Sequence, residues 1–277
     1  MDIKLILLDL DGTLLDSNKN LPEENRRALE QTAARGVHIV PASGRLYDGM
    51  PECIRALPFV RYAVGSNGAQ IYDARTEKIL HRAEIPLDLA ELVYDYLDTL
   101  PVIYDCYMDG SGWMDSAQYA RIDEFIADPA IKAMAKTVRA PVDSFRAFIA
   151  AQGKSLQKIQ MFFKDMDARA LELGRLAELF PELVVSSSIY NNIEMNIQSA
   201  TKGEALRFLC RYLGIDIQDT MAFGDKSNDL SMLRAAGLGV AMANADEELL
   251  AEADYITDAN DRNGVACALE RFVLQHY

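Results

Sequence analysis

Near the amino terminus, Asp9 and Asp11 stand i, i+2, followed by Gly12 and Thr13. Paired carboxylates can divide a displacement between a nucleophile and a proton carrier, provided one of them is fixed at the reacting centre. Three further segments carry matching chemistry. Ser43, Gly44 and Arg45 bring a hydroxyl, backbone amides and a guanidinium; Lys202 and Gly203 bring an ammonium; Gly224-Asp225-Lys226-Ser227-Asn228-Asp229 brings two carboxylates spaced i, i+4. Carboxylates gathered in one crevice raise one another's pKa unless a cation neutralises them, and hard oxygen donors beside a phosphate suit Mg2+. Ser43, Lys202 and the amides around Gly12 and Gly44 are suited to hold phosphoryl oxygens, where negative charge must be accommodated. A calcium loop is excluded, because the glycine needed at its sixth position is Leu14 after Asp9 and Leu230 after Asp225.

These segments need strand ends to hold them. Leu5-Ile6-Leu7-Leu8 is an apolar run directly before Asp9, so it predicts a buried parallel strand with Asp9 at its carboxyl end, where open α/β sheets place ligands. A helix follows from Leu21 to Arg35, with Pro22 in its first turn and Gly36 at its stop. A second strand over 37–40 ends at Ser43-Gly44-Arg45, and a third over 61–65 ends at Ser66-Asn67-Gly68. The rhythm returns with a helix from Thr201 to Leu213, a strand over 220–223, a helix through Leu233, a strand over 238–242 and a last helix near 263–275. Strand, helix, strand implies right-handed crossovers and a parallel sheet.

Between these halves the pattern changes. Helical stretches near 87–99, 117–127 and 166–179 mingle with strand-like 101–107, 156–163 and 183–188. This predicts an α+β domain over 83–190 inserted into a sheet domain made of 1–82 and 191–277. The stretch from Tyr104 to Trp113 reads as a hairpin whose aromatic face packs into a core.

Composition bounds the function. A chain of 277 residues with 50% hydrophobic content can bury a sizeable core and a second, smaller one. A net charge of -14 repels nucleic acid and anionic membrane, so a phosphate substrate needs local cations. Cys53, Cys106, Cys210 and Cys267 are scattered and, with His38, His81 and His276, give no zinc-ligand spacing; buried reduced thiols are expected. The opening Met-Asp-Ile-Lys lacks a basic leader segment, and no run approaches about 18 apolar residues, so a soluble cytoplasmic protein is expected.

In order along the chain, Asp9-Leu10-Asp11-Gly12-Thr13, Ser43-Gly44-Arg45, Lys202-Gly203 and Gly224-Asp225-Lys226-Ser227-Asn228-Asp229 resemble the four motifs of the haloacid dehalogenase superfamily. An insert between the second and third motifs is similar to the Cof-type phosphatases with a class IIB cap, as are Ser66-Asn67-Gly68-Ala69 and Ile193-Glu194-Met195. The resemblance implies an α/β fold, with a Rossmann-like doubly wound parallel sheet core and an inserted α+β cap that covers it. It implies Mg2+-dependent hydrolysis of a small phosphorylated metabolite, a sugar phosphate or a cofactor phosphate, through an aspartyl-phosphate. Asp9 is then the nucleophile, Asp11 the acid and base, and Lys202 the catalytic cation. Leu10, Gly12, Thr13, Ser43, Gly44, Arg45, Asn67, Lys202 and Asn228 are implied to bind phosphate or substrate. Asp9, Asp11 through its backbone carbonyl, and Asp225 are implied to bind magnesium, with Asp229 supporting them or ligating through water.

Two positions stay open: Arg45 meets substrate or pairs with a core carboxylate, and Asn67 contacts substrate or forms a turn with Gly68. A monomer or homodimer without nucleic acid or membrane partners is expected. Relatives that transfer phosphate, such as the phosphomannomutases, share a similar first motif, and P-type ATPases carry threonine where this chain has Asp11. A phosphotransferase or mutase, or a phosphometabolite-binding protein without turnover, are the competing functions.

Overall fold

In the computed structural model, which describes residues 2–275, the chain divides into two compact units, one of residues 1–81 with 201–277 and one of 82–200. His276 lies outside the described residues. Strand β1 (Leu5–Asp9) forms where successive side chains find apolar cover on opposite faces: Ile6 and Leu8 join one cluster, Leu5 and Leu7 the other, all fully buried. Alternation with burial on both faces is what a central parallel strand requires, and each such side chain contributes about 1.5–3 kcal/mol.

Around β1 the first unit builds β2 (His38–Ala42), β3 (Tyr62–Gly65), β4 (Gln70–Asp73) and β5 (Lys78–Arg82). The second unit holds β6 (Ile103–Met108), β7 (Ser111–Asp115), β8 (Arg139–Val142), β9 (Lys158–Phe162), β10 (Leu183–Ser186) and β11 (Asn192–Ile197). The chain then returns with β12 (Thr220–Gly224), β13 (Leu238–Ala241) and β14 (Tyr255–Ile256). The first sheet runs β14-β13-β12-β1-β2-β3-β4-β5, parallel from β14 to β3, with β4 antiparallel to β3. Strand order departs in opposite directions from the β1–β12 pair, so the switch point of the sheet lies at the carboxyl ends of these two strands. Asp9 ends β1, and Asp225 follows β12.

The helix Lys202–Leu213 starts where Thr201 Oγ1 accepts the Glu204 amide at 3.1 Å and stops at left-handed Gly214. A lysine in its first turn opposes the helix dipole, so Lys202 needs anionic neighbours to be stable there. Gly203 beside it has a steric reason: a Cβ at this position would sit 2.3 Å from the Ser231 carbonyl oxygen, where the helix Leu230–Ala235 packs against it.

In the second unit the sheet order is β10-β11-β9-β6-β7-β8, antiparallel except for β7 with β8. Tyr104, Cys106, Ile159, Met161, Ile193 and Met195 pack on one face with the helices Leu87–Leu97, Phe145–Gln152 and Met166–Leu179. Tyr104 and Trp113 both pack with this cluster, and Trp113 meets Phe148 at 4.8 Å between ring centroids.

The expected return to the first unit at 191 is corrected to Thr201, because Asn192–Ile197 pairs on both sides, with Lys158–Phe162 and with Leu183–Ser186. The other boundary falls between His81 and Arg82 rather than after Arg82. The helical stretch expected over 117–127 is two short helices, Ser116–Tyr119 and Ile122–Phe125, and the last helix ends as a π turn over Glu270–Leu274. The cysteines are unpaired; Cys106 and Cys210 are buried, whereas Cys53 and Cys267 are exposed, which corrects the expectation for those two. Among the described residues, no helix is long and apolar enough to cross a membrane.

Candidate active site

Four loops of the first unit converge at the switch point. Asp9 is 6% exposed, and Lys202, fully buried, donates from Nζ to Asp9 Oδ1 at 2.5 Å and to Asp229 Oδ1 at 2.5 Å. Asp229 Oδ2 accepts the backbone amides of Asp225 and Lys226 at 2.9 and 3.1 Å, so both its oxygens are committed inside the protein. Asp225 Oδ1 accepts the Thr13 hydroxyl at 2.8 Å. Gly12 is at φ +87°, and a Cβ there would meet Asp225 Oδ2 at 2.4 Å, so this backbone passes the carboxylate as only glycine can.

The electrostatics follow from this crowding. Burial drives the Asp9 carboxyl well above the usual carboxylate range; Lys202 opposes the rise, while Asp229 and Asp225 add to it. Burial, then the Asp229 charge, push Asp225 up to about 7 against the Thr13 hydrogen bond, Lys226 and Lys202. For Lys202, burial disfavours the ammonium, yet Asp229 and Asp9 hold it charged well above its ordinary range.

Oxygens of Asp9, Asp225 and Asp229 lie within 4.8 Å of one another. Three carboxylates against one buried ammonium leave an excess of negative charge on hard oxygen donors, a donor set that fits Mg2+. With Asp229 spent on Lys202 and two amides, the residues free to turn a side-chain oxygen to an ion are Asp9 and Asp225.

Asp11 sits differently. The Arg45 guanidinium reaches its carboxylate from Nε at 2.9 Å and Nη2 at 2.7 Å, and Lys19 Nζ lies 2.9 Å from Oδ1. Burial acts to raise its pKa, but Arg45 and Lys19 outweigh that and hold it below the ordinary range. The carboxylate Arg45 meets is that of Asp11, itself a site residue and partly exposed.

The remaining site candidates distribute unevenly. Ser43 is buried, with Oγ accepting the Arg45 amide at 3.1 Å and its carbonyl accepting the Asn67 amide at 3.0 Å, so Gly44 lies in a loop already tied to β3. Asn67 adopts a left-handed turn at φ 60°, ψ 18°, and its Oδ1 accepts Asn228 Nδ2 at 3.1 Å. Leu10 buries its side chain in the core, leaving only its backbone for a ligand. The Thr13 hydroxyl is turned to Asp225 rather than outward. Sequence reasoning missed Lys19, Ser231 and Asn244. Ser231 Oγ accepts the Gly203 amide at 3.0 Å, and Asn244 Nδ2 donates to the Gly12 carbonyl at 2.8 Å. The helix-breaking Gly203 is a signal for Ser231; Asn244 meets a partner too remote in sequence to be read, and Lys19 lies in no motif that marks it.

A model of haloacid dehalogenase-like hydrolases matches residues 6–269. Phosphatase YwpJ of Bacillus subtilis (strain 168) is 32% identical over 287 residues, covering 95% of this chain and 98% of its own. The 5-amino-6-(5-phospho-D-ribitylamino)uracil phosphatase YcsE of the same organism is 29% identical over 274 residues, covering 99% and 97%. Among solved structures, a haloacid dehalogenase-like hydrolase from B. subtilis superposes with a TM-score of 0.85 at 29% identity, over 98% of this chain and all of that one.

Proposed function

The chain belongs to the haloacid dehalogenase-like hydrolases, in their Cof-type branch, and is a phosphomonoester hydrolase; from that premise we propose a Mg2+-dependent route through an aspartyl-phosphate at Asp9. The observation that carries this reading is the Lys202 ammonium bridging Asp9 and Asp229 at the carboxyl end of the central strand, beside Asp225.

In the first half-reaction an Asp9 carboxylate oxygen attacks phosphorus, the bond to the leaving oxygen breaks, and Asp11 delivers a proton to that oxygen. In the second, Asp11 takes a proton from water, the water oxygen attacks phosphorus, and the Asp9–phosphorus bond breaks to release phosphate. The pairing with Arg45 and Lys19 makes protonated Asp11 a ready donor, since the carboxylate left behind is stabilised. Lys202 opposes the rise that burial gives the Asp9 carboxyl and places a cation beside the incoming phosphoryl oxygens. Asp9, the Asp11 carbonyl and Asp225 would hold magnesium, with Asp229 fixing the Asp225 and Lys226 amides behind them. When bound, the ion supplies positive charge for the phosphoryl oxygens and the crowded carboxylates.

The backbone around Gly12 and the loop Ser43–Gly44 would receive phosphate oxygens, and Asn228 and Asn67 would border them. The substrate is a small phosphorylated metabolite, either a sugar phosphate or a cofactor phosphate. The name of one relative, a phosphatase for a 5-phospho-D-ribityl compound, supports a phosphorylated polyol chain. The protein works in the cytoplasm as a monomer or homodimer, and residues 82–200 serve as the cap of this class.

The test is a screen of phosphorylated metabolites with and without Mg2+, using native protein and Asp9→Asn. Release of free phosphate by native protein, lost in EDTA, restored by Mg2+ and absent from folded Asp9→Asn supports the reading. Transfer of phosphate to an acceptor with little free phosphate would favour a phosphotransferase, and turnover by Asp9→Asn would remove the nucleophile.

A further inference from the structure

Lys19 has no place in the motifs, yet its backbone is built to aim it. It is a non-glycine residue at φ +65°, a left-handed conformation costing about 1–2 kcal/mol in an L-residue. The turn that imposes this is closed around Asp16: Oδ1 accepts the amides of Asn18 and Asn20 at 2.9 and 2.8 Å, and the Lys19 amide donates to the Asp16 carbonyl at 2.9 Å. The turn is also anchored from afar, since Ser17 donates its amide and hydroxyl to Asp261 at 2.8 and 2.6 Å. From this frame Lys19 Nζ reaches Asp11 Oδ1 at 2.9 Å.

Stability does not explain the arrangement. The lysine side chain is 48% exposed and the aspartate 32%, and a pair so open to water contributes about 0–1 kcal/mol, no more than the backbone strain costs. What the contact does provide is direction. Asp11 lies in the loop after β1, and Arg45 approaches its carboxylate from the loop after β2. Lys19 adds a second cation, so the carboxylate is held from two directions.

We propose that Lys19 is a positioning residue, which with Arg45 orients Asp11 for proton delivery to the leaving group. The inference rests on Asp11 being the acid. Its effect must therefore grow with the need of the leaving group for a proton: p-nitrophenolate departs without one, phenolate departs poorly.

The experiment measures kcat/KM, which reports steps up to phosphoryl transfer, over aryl phosphates from p-nitrophenyl to phenyl. For Lys19→Met, a loss of about tenfold with phenyl phosphate and less than about twofold with p-nitrophenyl phosphate is expected, a fraction of the effect a general acid supplies. Lys19→Arg should recover most of the loss, and Lys19→Met should add nothing on an Asp11→Asn background. An equal loss on both esters, no loss on phenyl phosphate, or a further loss in the double variant would each overturn the assignment. Asp11→Asn alone separates the two levels. If it shows the leaving-group dependence while Lys19→Met does not, only Lys19 loses its role; if it shows none, the acid assignment of Asp11 falls and Lys19 with it.

Discussion

Replacing Lys202 by methionine removes one buried cation from among crowded carboxylates while keeping the length of the side chain. Its Nζ contacts Asp9 and Asp229 at 2.5 Å each, and at an effective dielectric of about 20 each contact is worth roughly 7 kcal/mol before the cost of stripping water from the charges. After that offset, breaking one side of a buried pair costs about 3–5 kcal/mol, or about 6–20 °C in unfolding midpoint for a unit of this size. Urea and thermal unfolding of Lys202→Met in EDTA at neutral pH measure it. Adding Asp229→Asn to Lys202→Met should return part of the loss, since one uncompensated charge goes with it. The variant should also regain stability as pH falls: without the ammonium the carboxyls are raised further, so the folded state holds protons that the unfolded chain has released. A loss below about 1 kcal/mol, or a double variant less stable than Lys202→Met, would refute the claim that this lysine neutralises the cluster.

Gly203→Ala sets helix propensity against packing. Propensity alone would add about 1 kcal/mol, but a Cβ 2.3 Å from the Ser231 carbonyl oxygen should reverse the sign to a net loss, read from the urea midpoint. In the second unit, Arg139→Met leaves Asp105, fully buried and 2.7 Å from the guanidinium, without its cation, so a loss of about 3–5 kcal/mol is expected in chemical unfolding. Asp225 gives a pH signature. Its carboxyl lies near 7 when folded against an ordinary 3.8, a raised value, so in EDTA its contribution to stability is present at low pH and disappears as pH rises through about 7. Asp225→Asn should flatten that slope of stability against pH, and an unchanged slope would place its cause elsewhere.

The sequence disclosed what local pattern controls. Leu5-Ile6-Leu7-Leu8 is apolar on both faces, which only a central strand tolerates, and Met166–Leu179 begins and ends where its pattern predicts. The loops after β1, β2 and β12 meet as their strand ends imply, because parallel strands of one sheet point their carboxyl ends the same way, while Lys202 joins them from the start of a helix. The insert was less legible. The hairpin read over Tyr104 to Trp113 is present, but Arg139–Val142 contains Pro141, which interrupts any apolar run, and Asn192–Ile197 alternates polar with apolar so that nothing local ties it to Lys158–Phe162. The excess negative charge was readable from residue types, but not its distribution. That Asp229 is consumed by Lys202 and two amides, that Thr13 serves Asp225, and that Lys19 and Arg45 share Asp11 depend on contacts the sequence does not encode locally.

The central claim is the chemical identity of position nine. Asp11→Asn protein lacks the base for hydrolysis, so brief reaction with p-nitrophenyl phosphate and Mg2+, followed by acid quench, digestion and tandem mass spectrometry, should find one phosphoryl group on the Asp9 peptide, fragmenting at Asp9. A phosphoryl group on Asp225, Asp229 or Ser43 instead, or p-nitrophenol released in a burst with no phosphorylated peptide, would contradict it.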